Sequence, residues 1–212
     1  MEIKNKKINF LGDSITEGVG VSSPEFMYVE VFAKKFEPAV ARNYGIGGTR
    51  FAKQINPTVN NPRFDLDFCS RVTEMDEDAD IVVVFGGTND FGHGDAPFGC
   101  FEDRTPDTFY GACHTLMTSL IERYPEANIV FMTPLHRATE TRKNREPLSS
   151  FVKVIKEVAE FYSIPVLDLY STAGIQPQLD IHKKKFAPDG LHPNNAGAEK
   201  IADRLGAFLH SL

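Results

Sequence analysis

The sequence predicts a three-layer α/β/α sandwich around a five-stranded parallel sheet, on three observations. Five apolar runs of strand length alternate with helix-length amphipathic segments along the chain. One of these runs, Ile81-Val82-Val83-Val84-Phe85, has no polar alternation, as expected of a strand covered on both faces. No repeat or low-complexity segment interrupts the β-α-β-α order, so right-handed crossovers with helices on both faces follow. A chain of 212 residues is expected to make one domain spanning residues 1–212.

The elements follow in chain order. Ile8 to Leu11 is the first strand. Ser23-Pro24 reads as an N-cap followed by proline at the first helical position, where a missing N–H leaves no bond unmade. Ala39 to Tyr44 is the second strand, and Ile81 to Phe85 the third and central one. Thr105-Pro106 repeats the cap-and-proline signal ahead of a helix striped by Phe109, Ala112, Cys113, Leu116 and Leu120. Ile129 to Met132 is the fourth strand, and the helix after it buries Leu148, Phe151, Val152, Ile155, Val158, Ala159 and Tyr162. Val166 to Leu169 is the fifth strand, and the closing helix carries Ala198, Ile201, Ala202, Leu205, Phe208 and Leu209 on one face.

Composition narrows the function. Apolar residues at 42% and charged residues at 25% are ordinary for a globular protein. The formal charge of −6 gives no electrostatic reason to bind nucleic acid or anionic lipid. No apolar run approaches the roughly 18 residues of a membrane span, and the basic start, Met1 to Lys7, leads into a short strand rather than a signal-peptide core. Cys69, Cys100 and Cys113 are odd in number and form no CxxC pair, which fits a reducing, cytoplasmic setting with the thiols as small core residues. His93, His114, His136, His182 and His210 are scattered without HExxH or paired Cys/His spacing, so no metal site is expected.

Ligands of open parallel sheets bind beyond the carboxyl ends of the strands, and the chemistry-bearing residues fall there. Ser14 follows the first strand, Asn43-Tyr44-Gly45-Ile46-Gly47-Gly48-Thr49 ends the second, and Gly86-Gly87-Thr88-Asn89-Asp90 ends the third. Asp189-Gly190-Leu191-His192-Pro193 precedes the last helix and returns to the same rim. A serine hydroxyl attacks well only when an imidazole takes its proton, and the imidazole needs a carboxylate to fix its tautomer. Asp189 and His192, three residues apart, suit that pairing if they share one helical turn. Each motif alone also has a structural reading: Asp13-Ser14 as a helix cap, Asp189 and Asn89-Asp90 as turns, and Gly45, Gly47 and Gly48 as a loop. Four motifs on one edge favour catalysis. Thr16 stands where a GxSxG elbow would have its second glycine, so the α/β-hydrolase arrangement is not indicated.

These residues closely resemble the SGNH (GDSL-type) hydrolase superfamily. Its first block appears as Gly12-Asp13-Ser14-Ile15-Thr16, with Ile15 for the leucine of the family name, and its second as Asn43-x-Gly45-x-x-Gly48. The third is Gly87-x-Asn89-Asp90 and the fifth Asp189-x-x-His192-Pro193. The resemblance implies a flavodoxin-like fold and a serine esterase working through an acyl-enzyme without metal or organic cofactor. It makes Ser14 the nucleophile, His192 the base and Asp189 its orienting carboxylate. The oxyanion hole would be the N–H groups of Ser14 and Gly48 with the Asn89 amide, and Asp13, Asn43 and Asp90 would support these blocks. The rim segments 56–65, 91–105 and 134–147 are the expected pocket walls, with Arg50, His93 and Arg137 as candidate substrate contacts. The expected substrate is a small-molecule ester, an acetyl or other small acyl group on a polar alcohol such as a carbohydrate. An acyl thioester or lysophospholipid is the alternative within the superfamily. A non-catalytic ligand-binding module on the same fold is another, although the glycine cluster lacks a P-loop lysine.

Overall fold

A computed structural model describes residues 1–212. Five strands, β1 (Lys7–Gly12), β2 (Val40–Gly45), β3 (Ile81–Phe85), β4 (Asn128–Met132) and β5 (Val166–Leu167), pair in the order β2-β1-β3-β4-β5, all parallel. β3 is central, with Ile8 facing Ile81 on one side and Val130 facing Val83 on the other. Its unbroken apolar sequence has the cause the pattern implies. Val82 and Val84 point into one core, and Ile81, Val83 and Phe85 into the other. Each such side chain, fully withdrawn from water, contributes about 1.5–3 kcal/mol.

Helices cover both faces. The shorter ones are α1 (Ser14–Glu17), α2 (Tyr28–Phe36), α3 (Phe68–Arg71) and α4 (Thr88–Gly92). The two long helices α5 (Phe109–Arg123) and α6 (Leu148–Phe161) lie over one face, burying Leu116, Leu120, Ile155 and Val158 against Val82 and Val84. After α7 (Leu169–Thr172) and α8 (Asp180–Phe186), the last helix α9 (Asn195–Ser211) packs with α2 on the opposite face through Ile201, Leu205, Val29 and Phe32. The predicted stripes are these buried faces.

Three local expectations change. Ser23-Pro24 opens a 3-10 turn over Pro24–Phe26 without a side-chain cap bond, and α2 starts only at Tyr28. The cap of α5 is Thr108, whose Oγ1 accepts from Gly111 N at 3.1 Å, rather than Thr105. The fifth strand stops at Leu167 because the Asp168 carboxylate accepts from Ser171 N at 3.1 Å and turns the chain into α7. All three thiols are free, but only Cys113 is buried; Cys69 is half-buried, and Cys100 is exposed, so it is not a core residue.

Candidate active site

Ser14 is the first residue of α1, two positions after β1 ends, and so sits at the carboxyl edge of the sheet. Asp13 caps that helix with Oδ1 accepting from Ile15 N at 3.0 Å. The strand-to-helix turn is tight enough that a Cβ on Gly12 would lie 1.9 Å from Thr16 Oγ1. His192 arrives from the other end of the chain, just before α9, whose cap is Asn194. The Ser14 Oγ to His192 Nε2 distance is 2.9 Å, and His192 Nδ1 stands 2.6 Å from Asp189 Oδ2.

Asp189 holds its partner through a turn rather than a helix. Its Oδ1 accepts from Leu191 N at 2.8 Å and His192 N at 2.7 Å, with Gly190 at φ +83 between them. The expected shared helical turn is therefore replaced by a loop closed by the carboxylate itself. Burial works against the charge on Asp189, but the bonds from His192 and Leu191 outweigh it and hold the carboxyl below its ordinary range. An ionised carboxylate only accepts, so His192 Nδ1 carries the proton and Nε2 is free to accept from the Ser14 hydroxyl.

Three donors on residues lining the cleft with Ser14 have no partner within the chain. The N–H groups of Ser14 and Gly48 donate to no group of the chain. Asn89 gives one amide hydrogen to Thr49 O at 2.9 Å and keeps the second. Gly48 has φ +81, and a Cβ there would fall 2.2 Å from Phe64 Cδ1, so both backbone and packing demand glycine. Asn43 shapes the same turn, donating to Thr16 O at 2.7 Å and accepting from Gly45 N at 2.8 Å.

Two carboxyls are buried beneath this surface. Asp90 accepts from Phe51 N and Ala52 N at 3.0 and 2.9 Å, fixing the chain that leaves the glycine turn, and burial pushes it up to about 6. Burial likewise pushes Asp13 up to about 7, and its Oδ2 has no hydrogen-bond partner.

Ser14, Gly48, Asn89 and His192 line one cleft of about 460 Å³ with Glu17, Val19, Gly47, Arg63, Phe64, His93 and Leu191. His93 is thus placed at the cleft. Arg50 is buried behind it, with Nη1 2.8 Å from His93 Nδ1 and Nη2 on Phe64 O, so it braces the wall and does not line it. Since a guanidinium only donates, His93 Nδ1 accepts and the proton is on Nε2. Burial, with Arg50 beside it, lowers His93 to about 4 and keeps the ring neutral. Arg137 also lies off the cleft: Nη1 donates to Thr88 O at 2.9 Å and the guanidinium stacks over Phe91.

Segment 134–147 contributes nothing to this cleft either. Its Ala138 N donates to Gly190 O at 2.8 Å, bracing the Asp189 turn, while Asn144, Arg145 and Glu146 line a separate cavity with Asp95 and Phe98. Glu17, Val19, Arg63, Phe64 and Leu191 are the lining residues that sequence reasoning did not single out. Glu17 had a readable signal: three residues after Ser14, it shares the face of α1, and it accepts from Gly47 N at 2.7 Å and Arg63 Nη2 at 2.6 Å. No three His, Cys, Asp or Glu side chains gather as a metal site, and no helix is long and apolar enough to cross a membrane.

Serine, histidine and aspartate meet at the carboxyl edge of an all-parallel sheet, the arrangement that the resemblance to SGNH hydrolases implies. The chain belongs to the GDSL-like Lipase/Acylhydrolase family, whose sequence model matches residues 10–200, and it is a serine hydrolase of ester bonds. A protein of known structure from Lactobacillus plantarum is similar at 30% identity and a TM-score of 0.87, over 99% of this chain and 98% of its own. The lipase/acylhydrolase from Enterococcus faecalis shares the fold at 24% identity and a TM-score of 0.65, over 97% and 96% of the two chains. An acetyl xylan esterase shares it at 18% identity and a TM-score of 0.66, over 95% and 98%. Comparison with curated protein sequences gives no match.

Proposed function

We propose that this hydrolase removes a small acyl group, acetyl foremost, from a polar alcohol such as a carbohydrate, with Ser14, His192 and Asp189 as its triad. The observation that carries this reading is the unbroken relay of 2.9 Å and 2.6 Å from the Ser14 hydroxyl through the imidazole to the carboxylate. His192 Nε2 takes the hydroxyl proton as Ser14 Oγ attacks the ester carbonyl. The N–H groups of Ser14 and Gly48 and the second Asn89 hydrogen receive the oxyanion. His192 then returns the proton to the departing alcohol, leaving an acyl-enzyme, and water repeats the two transfers to release the acid.

The preference for a small acyl group rests on Phe64, whose ring packs against Gly48 in the wall of the cleft. A polar acceptor suits Glu17, Arg63 and the Nε2–H of the neutral His93 around the opening. The same fold carries the acetyl xylan esterase compared above. The test is Ser14→Ala assayed on p-nitrophenyl acetate, butyrate and octanoate and on acetylated xylo-oligosaccharides. The wild type should favour acetate and release acetate from the sugars, and the variant should fold and lose turnover. Retained turnover in Ser14→Ala would exclude Ser14 as nucleophile, and a preference for octanoate would exclude the small-acyl reading.

A further inference from the structure

Arg71, at the end of α3, is with Arg50 one of two arginines buried to 2% exposure under this surface, and the ester chemistry gives it no role. Arg42, Arg50, Arg63 and Arg123 each pair with a carboxylate. Arg71 instead directs its donors at uncharged oxygens. Nη1 donates to Gly12 O at 3.2 Å and to Thr49 Oγ1 at 3.0 Å, Nη2 donates to Tyr44 O, and the guanidinium lies 5.2 Å from the centre of the Phe68 ring. Burial lowers its pKa to about 10, so it remains charged at neutral pH. A buried cation without an ion-pair partner is costly, and such a group calls for an explanation.

Its three acceptors supply one. Tyr44 and Thr49 bound the turn that presents the Gly48 N–H, so the guanidinium clamps that turn at both ends. The Thr49 hydroxyl donates across the turn to Ile46 O at 2.7 Å, which leaves its lone pairs toward Arg71. The Thr49 carbonyl holds Asn89 Nδ2 at 2.9 Å. Gly12 O, which also accepts from Ile46 N at 3.1 Å, immediately precedes Asp13 and Ser14. One side chain thus supports the backbone behind Ser14 N–H, Gly48 N–H and the Asn89 amide alike.

We infer that Arg71 is a positioning residue for the oxyanion hole: its guanidinium fixes the three donors before substrate arrives, and its charge favours the tetrahedral oxyanion over the neutral ester. Donors held rigidly in a water-poor site act on the transition state without reorganising, so the effect belongs in kcat. This inference rests on Ser14 being the nucleophile.

The experiment first labels the wild type with a fluorophosphonate and maps the label by mass spectrometry. It then measures kcat and KM on p-nitrophenyl acetate for Arg71→Met, Arg71→Lys, Thr49→Val, Asn89→Ala and the Arg71→Met/Asn89→Ala double variant, with folding checked by circular dichroism. Arg71→Met should lose kcat about a hundredfold with KM within about threefold, and Thr49→Val, which removes one acceptor and leaves the cation, about tenfold. Arg71→Lys should recover about a tenth of wild-type kcat, and the double variant should lose little more than Asn89→Ala alone, because both act on one hole. If Arg71→Met does not fold, Arg71→Lys and Thr49→Val carry the test. Wild-type kcat in both of those, a loss confined to KM, or fully multiplicative losses in the double variant would overturn the inference while leaving a labelled Ser14 intact. A wild type that takes no label at Ser14 removes the nucleophile reading itself, and this inference with it.

Discussion

Replacing Asp13 by asparagine should change how the stability of the protein depends on pH. Asp13 is 1% exposed, and burial lifts its carboxyl from 3.8 to about 7. A carboxyl raised in the folded state binds its proton more tightly there than in the unfolded chain. Its contribution is therefore complete below pH 3.8 and is lost as pH rises through about 7. At about 1.4 kcal/mol per pH unit, the span from 3.8 to about 7 comes to about 4 kcal/mol of lost stability once the group is ionised. That is a large fraction of the roughly 5–15 kcal/mol that holds a typical domain together. Asparagine keeps an oxygen for the Ile15 N–H and never ionises, so Asp13→Asn should lack this loss. The chain has no tryptophan, so urea unfolding is best followed by far-ultraviolet circular dichroism, for both proteins between pH 5 and pH 9. The stability gap, variant minus wild type, should be about 3 kcal/mol wider at pH 9 than at pH 5, because about two of the pH units between 3.8 and about 7 lie above pH 5. Titrating groups remote from Asp13 are common to the two proteins and cancel in the difference, which leaves Asp13 and its neighbour Asp90. A gap that is constant with pH, or that closes as pH rises, would refute the assignment of a buried, proton-holding Asp13.

Asn89→Ala should lower kcat on p-nitrophenyl acetate about 10²- to 10³-fold with KM little changed, the signature of a donor used only in the transition state, and steady-state kinetics will show it. Gly48→Ala should cost both activity and about 1 kcal/mol or more of stability, since alanine at φ +81 is strained and its Cβ would sit 2.2 Å from Phe64 Cδ1. Phe64→Ala in the same chain should restore part of the stability by removing the clash but not the backbone strain, which urea unfolding of the double variant will separate.

The sheet was legible because a strand buried on both faces is apolar throughout, and the run from Ile81 to Phe85 is short, rich in β-branched valine and bounded by Gly86-Gly87, which separates it from a buried helix. Helix starts were less legible because cap chemistry is abundant. Thr105 and Thr108 offer the same hydroxyl three residues apart, and only the packed chain decides that Thr108 meets Gly111 N. The fifth strand was overread because Asp168, polar but placed between Leu167 and Leu169, interrupts the run with a cap rather than continuing it.

The site divides along a physical line. Ser14, Gly48, Asn89 and His192 could be placed together because each follows or precedes an element whose carboxyl-edge position the topology fixes. The arginines could not be sorted that way. In a sequence, Arg50, Arg63, Arg71 and Arg137 are four long cations near polar loops, and charge alone suggests that all four face solvent or substrate. Folding instead buries Arg50 and Arg71 under the cleft wall and the glycine turn, leaves Arg63 half-exposed at the opening, and turns Arg137 toward Phe91. What distinguishes them is which backbone oxygens can accept a further bond, and that is decided only when residues as distant as Gly12, Tyr44 and Arg71 meet. The four residues that the motif blocks name at the cleft, Ser14, Gly48, Asn89 and His192, are thus the ones a motif can reveal. Those that hold such residues still are decided by backbone acceptors, which carry no sequence signature, and Arg71 belongs to that second group.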